Sequence, residues 1–242
     1  AEQRIPAVAL RGMTILPEMI THFDVSRSRS VKAVEQALKQ GQRLFIVTQK
    51  SPETENPARE DLFVMGTVAE VKQIVKMPHN ILRVLVEGLE RAKLVSLEEG
   101  DYLEADVAGV ETEGFGDLPP EGKEAMYRNL KEIFQKYCET SGKVGKDLAR
   151  QVLDAPNLER LMVQVMIHTP FGWEQQQKLL ETSDLSACYE ALCIMLNNEI
   201  EIEHFRREIQ EKVKARVDKQ QKEYLLREQM KVIREELRED GP

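Results

Sequence analysis

The sequence predicts an α+β protein: a small twisted β-barrel with one inserted helix, then a helical bundle, then a long helix projecting at the C-terminal end. Three observations lead there. Nine of the 13 glycines and seven of the ten prolines fall at or before Gly122, so turn-rich chain gives way to helical chain. Apolar runs before residue 112 have the length of short strands. From residue 183 a helical pattern dense in both charges continues almost to the end with no breaker before Gly241.

The first zone, residues 1–111, takes its elements in order. Residues 5–10 form an apolar run closed by Arg11-Gly12, and residues 19–25 a second candidate strand. Val31, Val34 and Leu38 stand at helical spacing, with Ser30 placed to cap that helix and Gly41 to end it. Residues 44–47 read as a short buried strand, followed by strands at 62–76, 81–86, 89–97 and 102–110. Val68, Glu70 and Lys72 alternate with Ala69, Val71 and Gln73, the two-residue period of a strand. Met77-Pro78-His79-Asn80 supplies the turn between the longest two, where Asn80 tolerates left-handed backbone. Closing these strands into a barrel buries so many short elements most economically.

Residues 112–122 have linker composition, with Pro119-Pro120 and glycines at 114, 116 and 122. A bundle follows over 123–182. Met126, Leu130, Ile133, Phe134 and Tyr137 make one helical stripe; Leu158, Leu161, Met162 and Val165 make another, with Asp154 and Pro156 in start positions. Residues 173–181 form a third helix. The last zone, 183–242, opens on the capping cluster Thr182-Ser183-Asp184 and carries a narrow seam of Ile202, Phe205, Ile209, Val213 and Val217. The seam lapses over 218–223 and resumes at Tyr224, Met230, Ile233 and Leu237. At 1.5 Å per residue, about fifty residues make a rod of roughly 75–80 Å. A domain this small cannot bury such a rod along its length, so its distal half must project, meet another chain or lead into a further domain.

Composition narrows the function classes. The net charge of −8 is spread along the chain, and residues 1–111 hold 14 basic against 17 acidic side chains. Dedicated nucleic-acid binding, which needs a basic excess to neutralise phosphates, is therefore disfavoured. The interleaved charges of the rod, Lys212 and Lys214 beside Glu208 and Glu211, read as a solvated face. No apolar run is long enough to span a bilayer, and no signal-type apolar core follows Ala1-Glu2-Gln3-Arg4. With Cys138, Cys188 and Cys193 read as reduced thiols, a cytoplasmic location is expected.

Chemistry-bearing patterns are weak. Gly116 to Lys123 loosely follows a phosphate-binding loop, but has five intervening residues, two prolines without N–H donors, and Glu124 where a hydroxyl is needed. His22, His79, His168 and His204 share no ligand spacing. No nucleophile stands beside a base, so no catalytic, metal or cofactor residue is assigned. Two loop-like segments, around Leu16, Pro17 and Met19 and around Met77 and Pro78, present adaptable apolar side chains. These five are the candidate contact residues.

Several segments together resemble the N-terminal region of the bacterial Lon protease family. Ala9-Leu10-Arg11 with Leu16-Pro17 and Met19 is similar to its P-L-R…P-x-M opening, with Ala9 in place of proline. Asp61-Leu62-Phe63 through Gly66-Thr67-Val68-Ala69 resembles its D-L-F…G-T-x-A strand. Val84 to Ala92 is similar to its L-V-E-G-x-x-R-A, and Glu223 to Lys231, with Ile233 and Leu237, to its E-Y-x-L-x-E-Q-M-K neck. Pro78-His79-Asn80 departs from the family's P-D-G or P-N-G turn. The resemblance implies a PUA-like β domain, a bundle and a neck helix leading to an ATPase module, with its ATP and magnesium, and a Ser-Lys peptidase module, neither within this sequence. It further implies engagement of unfolded or damaged proteins and a hexameric parent, the isolated segment being monomer or dimer. Ile202, Phe205, Ile209, Val213, Val217, Tyr224, Met230 and Ile233 are then the assembly candidates. A purely structural spacing arm and a PUA-like RNA-binding module are the alternative readings.

Overall fold

The computed structural model describes residues 2–239. Six strands form one sheet: β1 (Glu2–Leu10), β2 (Ile20–Val25), β3 (Arg43–Thr48), β4 (Met65–Met77), β5 (Ile81–Glu99) and β6 (Leu103–Gly109). Their order is β2-β5-β4-β3-β1-β6, and β6 also pairs with β5. The sheet therefore closes on itself as a five-stranded ring, with β2 appended to the first half of β5. Among these six strands only β1 and β3 pair in parallel; the other strand pairings are antiparallel.

Closure explains the sequence pattern. Alternate residues of β1 face opposite sides: Ile5, Ala7 and Ala9 join the barrel interior with Phe45, Val68, Leu94 and Val107, while Val8 and Leu10 join an outer cluster. Both faces are buried, so β1 reads as an unbroken apolar run rather than an alternation. Residues 81–86 and 89–97 belong to one strand, not two. Gly88 sits between them because its backbone lies against the loop after β1, and a side chain there would collide with the Leu16 carbonyl.

Helix α1 (Ser28–Lys39) crosses the outer face of the barrel. Its buried side is Ser30, Ala33, Val34 and Ala37, whereas Leu38 is exposed. Ser30 lies inside the first turn and caps nothing; the N-cap is Arg27, without a side-chain bond. Four further helices, α2 (Pro120–Ser141), α3 (Lys146–Leu153), α4 (Leu158–His168) and α5 (Trp173–Glu181), pack with the start of α6 (Leu185–Glu239). Helix α2 begins inside the stretch read as linker, with Pro120 at a first-turn position where its missing N–H costs nothing. Gly142, at φ 64°, terminates α2 in a left-handed cap. The sequence had no reading for α3, whose only fully buried residue is Val152. The cap of α4 is Asn157, accepting from Arg160 N–H at 2.9 Å, so Asp154 and Pro156 precede the cap instead of forming it.

One apolar cluster runs from the outer face of the sheet, through Val8, Leu16 and Val86, into Leu130, Phe134, Leu161, Leu192 and Leu196 of the helices. Polar ties cross the same junction. Gln177 Nε2 donates to Met65 O at 3.0 Å, Arg91 Nη1 to Thr182 O at 2.9 Å, and Arg160 Nη1 to both Glu18 carboxylate oxygens at 2.9 and 3.0 Å. Glu113 and Asp184 form a further bridge, through Glu113 N–H to Ser183 O and Leu185 N–H to Glu113 O.

Candidate functional site at the barrel–bundle junction

The loop between β1 and β2 is the keystone of the junction. Glu18 N–H donates to Gly88 O at 2.8 Å and Gly88 N–H to Met19 O at 2.9 Å, which lays residues 16–19 across β5. Glu18 adopts φ 66° to close this turn, an uncommon conformation for a residue with a Cβ. The loop thereby aims Leu16 inward and leaves Pro17 half-buried at the rim of a cleft.

That cleft has a volume of about 270 Å³. Its walls come from four elements: Leu16 and Pro17 of the loop, Leu89 and Arg91 of β5, Met162, Val163, Met166 and Ile167 of α4, and Leu185 and Cys188 of α6. The lining is mostly apolar, and two methionines let it follow varied apolar shapes. Charged groups frame it. Glu18 and Arg160 pair across one edge, and Lys123 Nζ meets Glu159 Oε1 at 2.9 Å, a hydrogen bond that holds the Glu159 carboxyl below its usual value. Burial pulls the Arg91 guanidinium below its ordinary value, with neighbouring Cys188 opposing that shift. Burial likewise pushes the Cys188 thiol up, against the pull of Arg91, so this cysteine is a packing residue and not a nucleophile.

The five candidate contact residues do not form one surface. Leu16 is 1% and Met19 9% exposed; both close the core beneath the loop instead of standing free. Pro17 alone of that trio offers a partly open face. Met77 ends β4, so residues 75–77 are strand and not loop, and Pro78 is exposed in the three-residue turn that follows. His79 and Asn80 both take positive φ there, 64° and 58°. Seven residues of β5 separate Ile81 from Gly88, about 23 Å of strand, so the hairpin tip and the cleft are distinct places.

Sequence reading missed Leu89, Val163, Met166, Ile167 and Leu185 as cleft residues. A signal was present: in α4, Val163, Met166 and Ile167 extend apolar character beyond the Leu158/Leu161/Met162/Val165 stripe. A short helix apolar on most of its circumference needs a second surface to pack against.

Helix α6 has two halves of different character. Cys188, Leu192, Met195, Leu196 and Ile200 are buried in the bundle. Glu203, itself buried, takes Lys143 Nζ at 3.0 Å and Arg206 Nη1 at 3.6 Å. Every residue from His204 to Glu239 is exposed, about 54 Å of helix at 1.5 Å per residue. The seam residues Ile202, Phe205, Ile209, Val213, Val217, Tyr224, Met230 and Ile233 are between 43 and 64% exposed. Leu225, Leu226, Val232 and Leu237 add to them. The helix is unbroken across 218–223, where the seam lapses. Gly241 and Pro242 lie outside the described residues.

Among the described residues no group of His, Cys, Asp and Glu could hold a metal ion, and no helix is long and apolar enough to cross a membrane.

Comparison with known proteins places this architecture. Residues 4–198 match the model of the ATP-dependent protease La (LON) substrate-binding domain. The chain is 46% identical over 238 residues to a Lon protease of Lachnoclostridium phytofermentans, covering 98% of this chain and 29% of that relative. It is 35% identical over 237 residues to Lon protease 1 of Bacillus subtilis, covering 98% and 30%. The chain thus spans about three tenths of the length of these relatives. In fold it is similar to the N-terminal domain of Mycobacterium avium complex Lon protease, with TM-score 0.61, 17% identity, and 81% of this chain and 98% of the other covered. The Lon N-terminal domain protein of Xanthomonas campestris gives TM-score 0.53 at 15% identity over the same shares.

Proposed function

Because the chain belongs to the family of the ATP-dependent protease La (LON) substrate-binding domain, we propose that it engages unfolded or damaged protein chains on behalf of a Lon protease. In this reading it carries no peptidase or ATPase chemistry. Those steps, with their ATP and magnesium, belong to other modules of a longer protein working in the cytoplasm. The observation that carries the reading is the cleft: half-buried Pro17, Leu89, Val163 and Ile167 over a methionine floor. Such a surface accepts short apolar segments without demanding one sequence, which is what an unfolded chain offers and a folded one hides. Weak capture there raises the local concentration of a substrate near the machinery that processes it.

The test is fluorescence anisotropy with a reduced, carboxymethylated model protein against its folded form. The unfolded form should bind more tightly, and Ile167→Glu or Val163→Glu should weaken it about tenfold, equivalent to about 1.4 kcal/mol. Equal binding of folded and unfolded forms would overturn the reading.

A second reading rests on the exposed half of α6: an assembly arm whose seam pairs with other copies and positions the barrel and bundle in a hexamer. It is separable from capture. Deleting residues 2–111 from a full-length protease abolishes degradation of unfolded protein if capture dominates and leaves it intact if spacing is the whole role.

A further inference from the structure

Strand β2 stays outside the ring that the other five strands close. It pairs with β5 along Ile20–Val25, and among the described residues no strand pairs with its other side. The direction of its backbone groups follows from two hydrogen bonds. Gly88 N–H donates to Met19 O at 2.9 Å, so Met19, opposite Gly88, is turned toward β5. Antiparallel alternation then turns Thr21, Phe23 and Val25 toward β5, and Ile20, His22 and Asp24 away from it. The other flank gives the same parity. Val86, opposite Thr21, is also opposite Val71, whose N–H turns away from β5 to donate to Gln42 O at 2.8 Å. The N–H and C=O groups of Ile20, His22 and Asp24 therefore line an edge that no strand fills.

A free edge templates pairing with any extended chain, so proteins ordinarily blunt it. The neighbouring edge shows how. Where β4 runs on past its pairing with β3, its ladder with β5 shifts register between Val71 and Gln73, the edge carries Lys72 and Lys76, and Pro78 follows its end. Strand β2 has none of these devices. Its six pairs with β5 are in unbroken register, and it holds neither proline nor lysine. Its one acidic residue, Asp24, is held by Arg83 at 2.9 and 3.1 Å.

The surroundings of this edge suit an extended apolar segment. At its start Ile20 is 65% exposed, two residues beyond Glu18 in the rim of the cleft. At its end lies a cavity of about 290 Å³, lined by Leu10 and Met13 as well as by Phe23 and Val25. No β5 residue contributes to that lining, so the cavity flanks β2 away from its strand partner. Six residues of edge, about 17–20 Å long, thus lead from the cleft to a second apolar recess.

We propose that the outer edge of β2 holds an extended segment of an unfolded chain by adding it to the sheet as a further strand. This rests on the capture reading and supplies its recognition mode. Main-chain hydrogen bonds to Ile20, His22 and Asp24 give affinity without reading sequence. The cleft and the recess receive apolar side chains at either end. A folded protein, whose backbone groups are already paired, cannot make this ladder.

The experiment is amide hydrogen exchange, read by NMR on the 242-residue chain, with and without the reduced, carboxymethylated model protein of the anisotropy test. In the free chain the amides of Ile20, His22 and Asp24 should exchange fast and those of Thr21, Phe23 and Val25 slowly. At saturation the first three should slow by about tenfold or more, while Ile74 and Lys76 on the blunted β4 edge stay unchanged. His22→Pro removes one outward donor where no ladder bond is lost and should weaken binding about five- to tenfold. Unchanged affinity in a His22→Pro variant that melts like the parent would overturn the proposal. So would binding without the alternating protection, which leaves capture in the cleft standing; no binding at all overturns both. Protection of the same amides in the chain alone, rising with its own concentration, assigns the edge to a second copy and also overturns it.

Discussion

Replacing Gly88 with alanine tests the keystone on which the cleft depends. An alanine Cβ would lie 2.2 Å from the Leu16 carbonyl oxygen, 3.1 Å from its carbon and 3.2 Å from Pro17 Cα. All three atoms are backbone, so no rotamer change relieves the clash. The loop must lift, and lifting breaks the Glu18–Gly88 and Gly88–Met19 hydrogen bonds, each worth about 1 kcal/mol. Forcing extra volume into this contact adds about 1–3 kcal/mol. With partial relaxation the net loss should be about 3 kcal/mol. For a chain of this size that lowers the melting temperature by about 6–12 °C. The backbone of Gly88 is not in the left-handed region, so the cost is steric and not conformational. Gly114→Ala, whose new Cβ meets nothing within 4 Å, is the control and should stay within about 0.5 kcal/mol. Urea denaturation and thermal melting report both variants. If Gly88→Ala unfolds at the same midpoint as Gly114→Ala, residues 16–19 are not pinned to β5 and the cleft's rim is not rigid.

Val213→Pro should break the exposed part of α6 at a local cost of about 3 kcal/mol, reducing helical ellipticity and the maximum dimension in small-angle scattering while the core melts unchanged; a lower melting temperature of the core would contradict the separation of the two halves. Phe134→Ala, at a fully buried site in α2, should destabilise the protein by about 3–5 kcal/mol in urea titration. The hydrogen bond between Lys143 and Glu203 lowers the glutamate and raises the lysine. The glutamate's contribution is therefore present above its ordinary 4.5 and lost as pH falls through its depressed value, whereas the lysine's is present below its ordinary 10.5 and lost as pH rises through its raised value. Lys143→Met should remove both limbs from the pH dependence of the urea midpoint. Burial, with Glu139 beside it, pushes the Cys138 thiol up to about 11, so at pH 8 iodoacetamide should modify Cys138 roughly 100-fold more slowly than an exposed cysteine.

The sequence by itself determined the element types and their order. Apolar spacing is set by neighbours three, four or two residues away, so helices α1, α2, α4 and α5 and most strands were legible, as was the exposed seam from Ile202 to Ile233. Helix α3 escaped because eight residues with one buried side chain give too few repeats of the period. Tertiary structure decided the rest. Barrel closure joined two apparent strands into β5 and placed the β1–β2 loop on Gly88, which no local pattern specifies. The same closure buried Leu16 and Met19, and docking of α4 against that loop created the cleft from residues 16–17, 89–91 and 162–167. Burial of a loop side chain depends on what packs over it from far along the chain. Local periodicity carries no such information, so the rod could be read before folding and the cleft only afterwards.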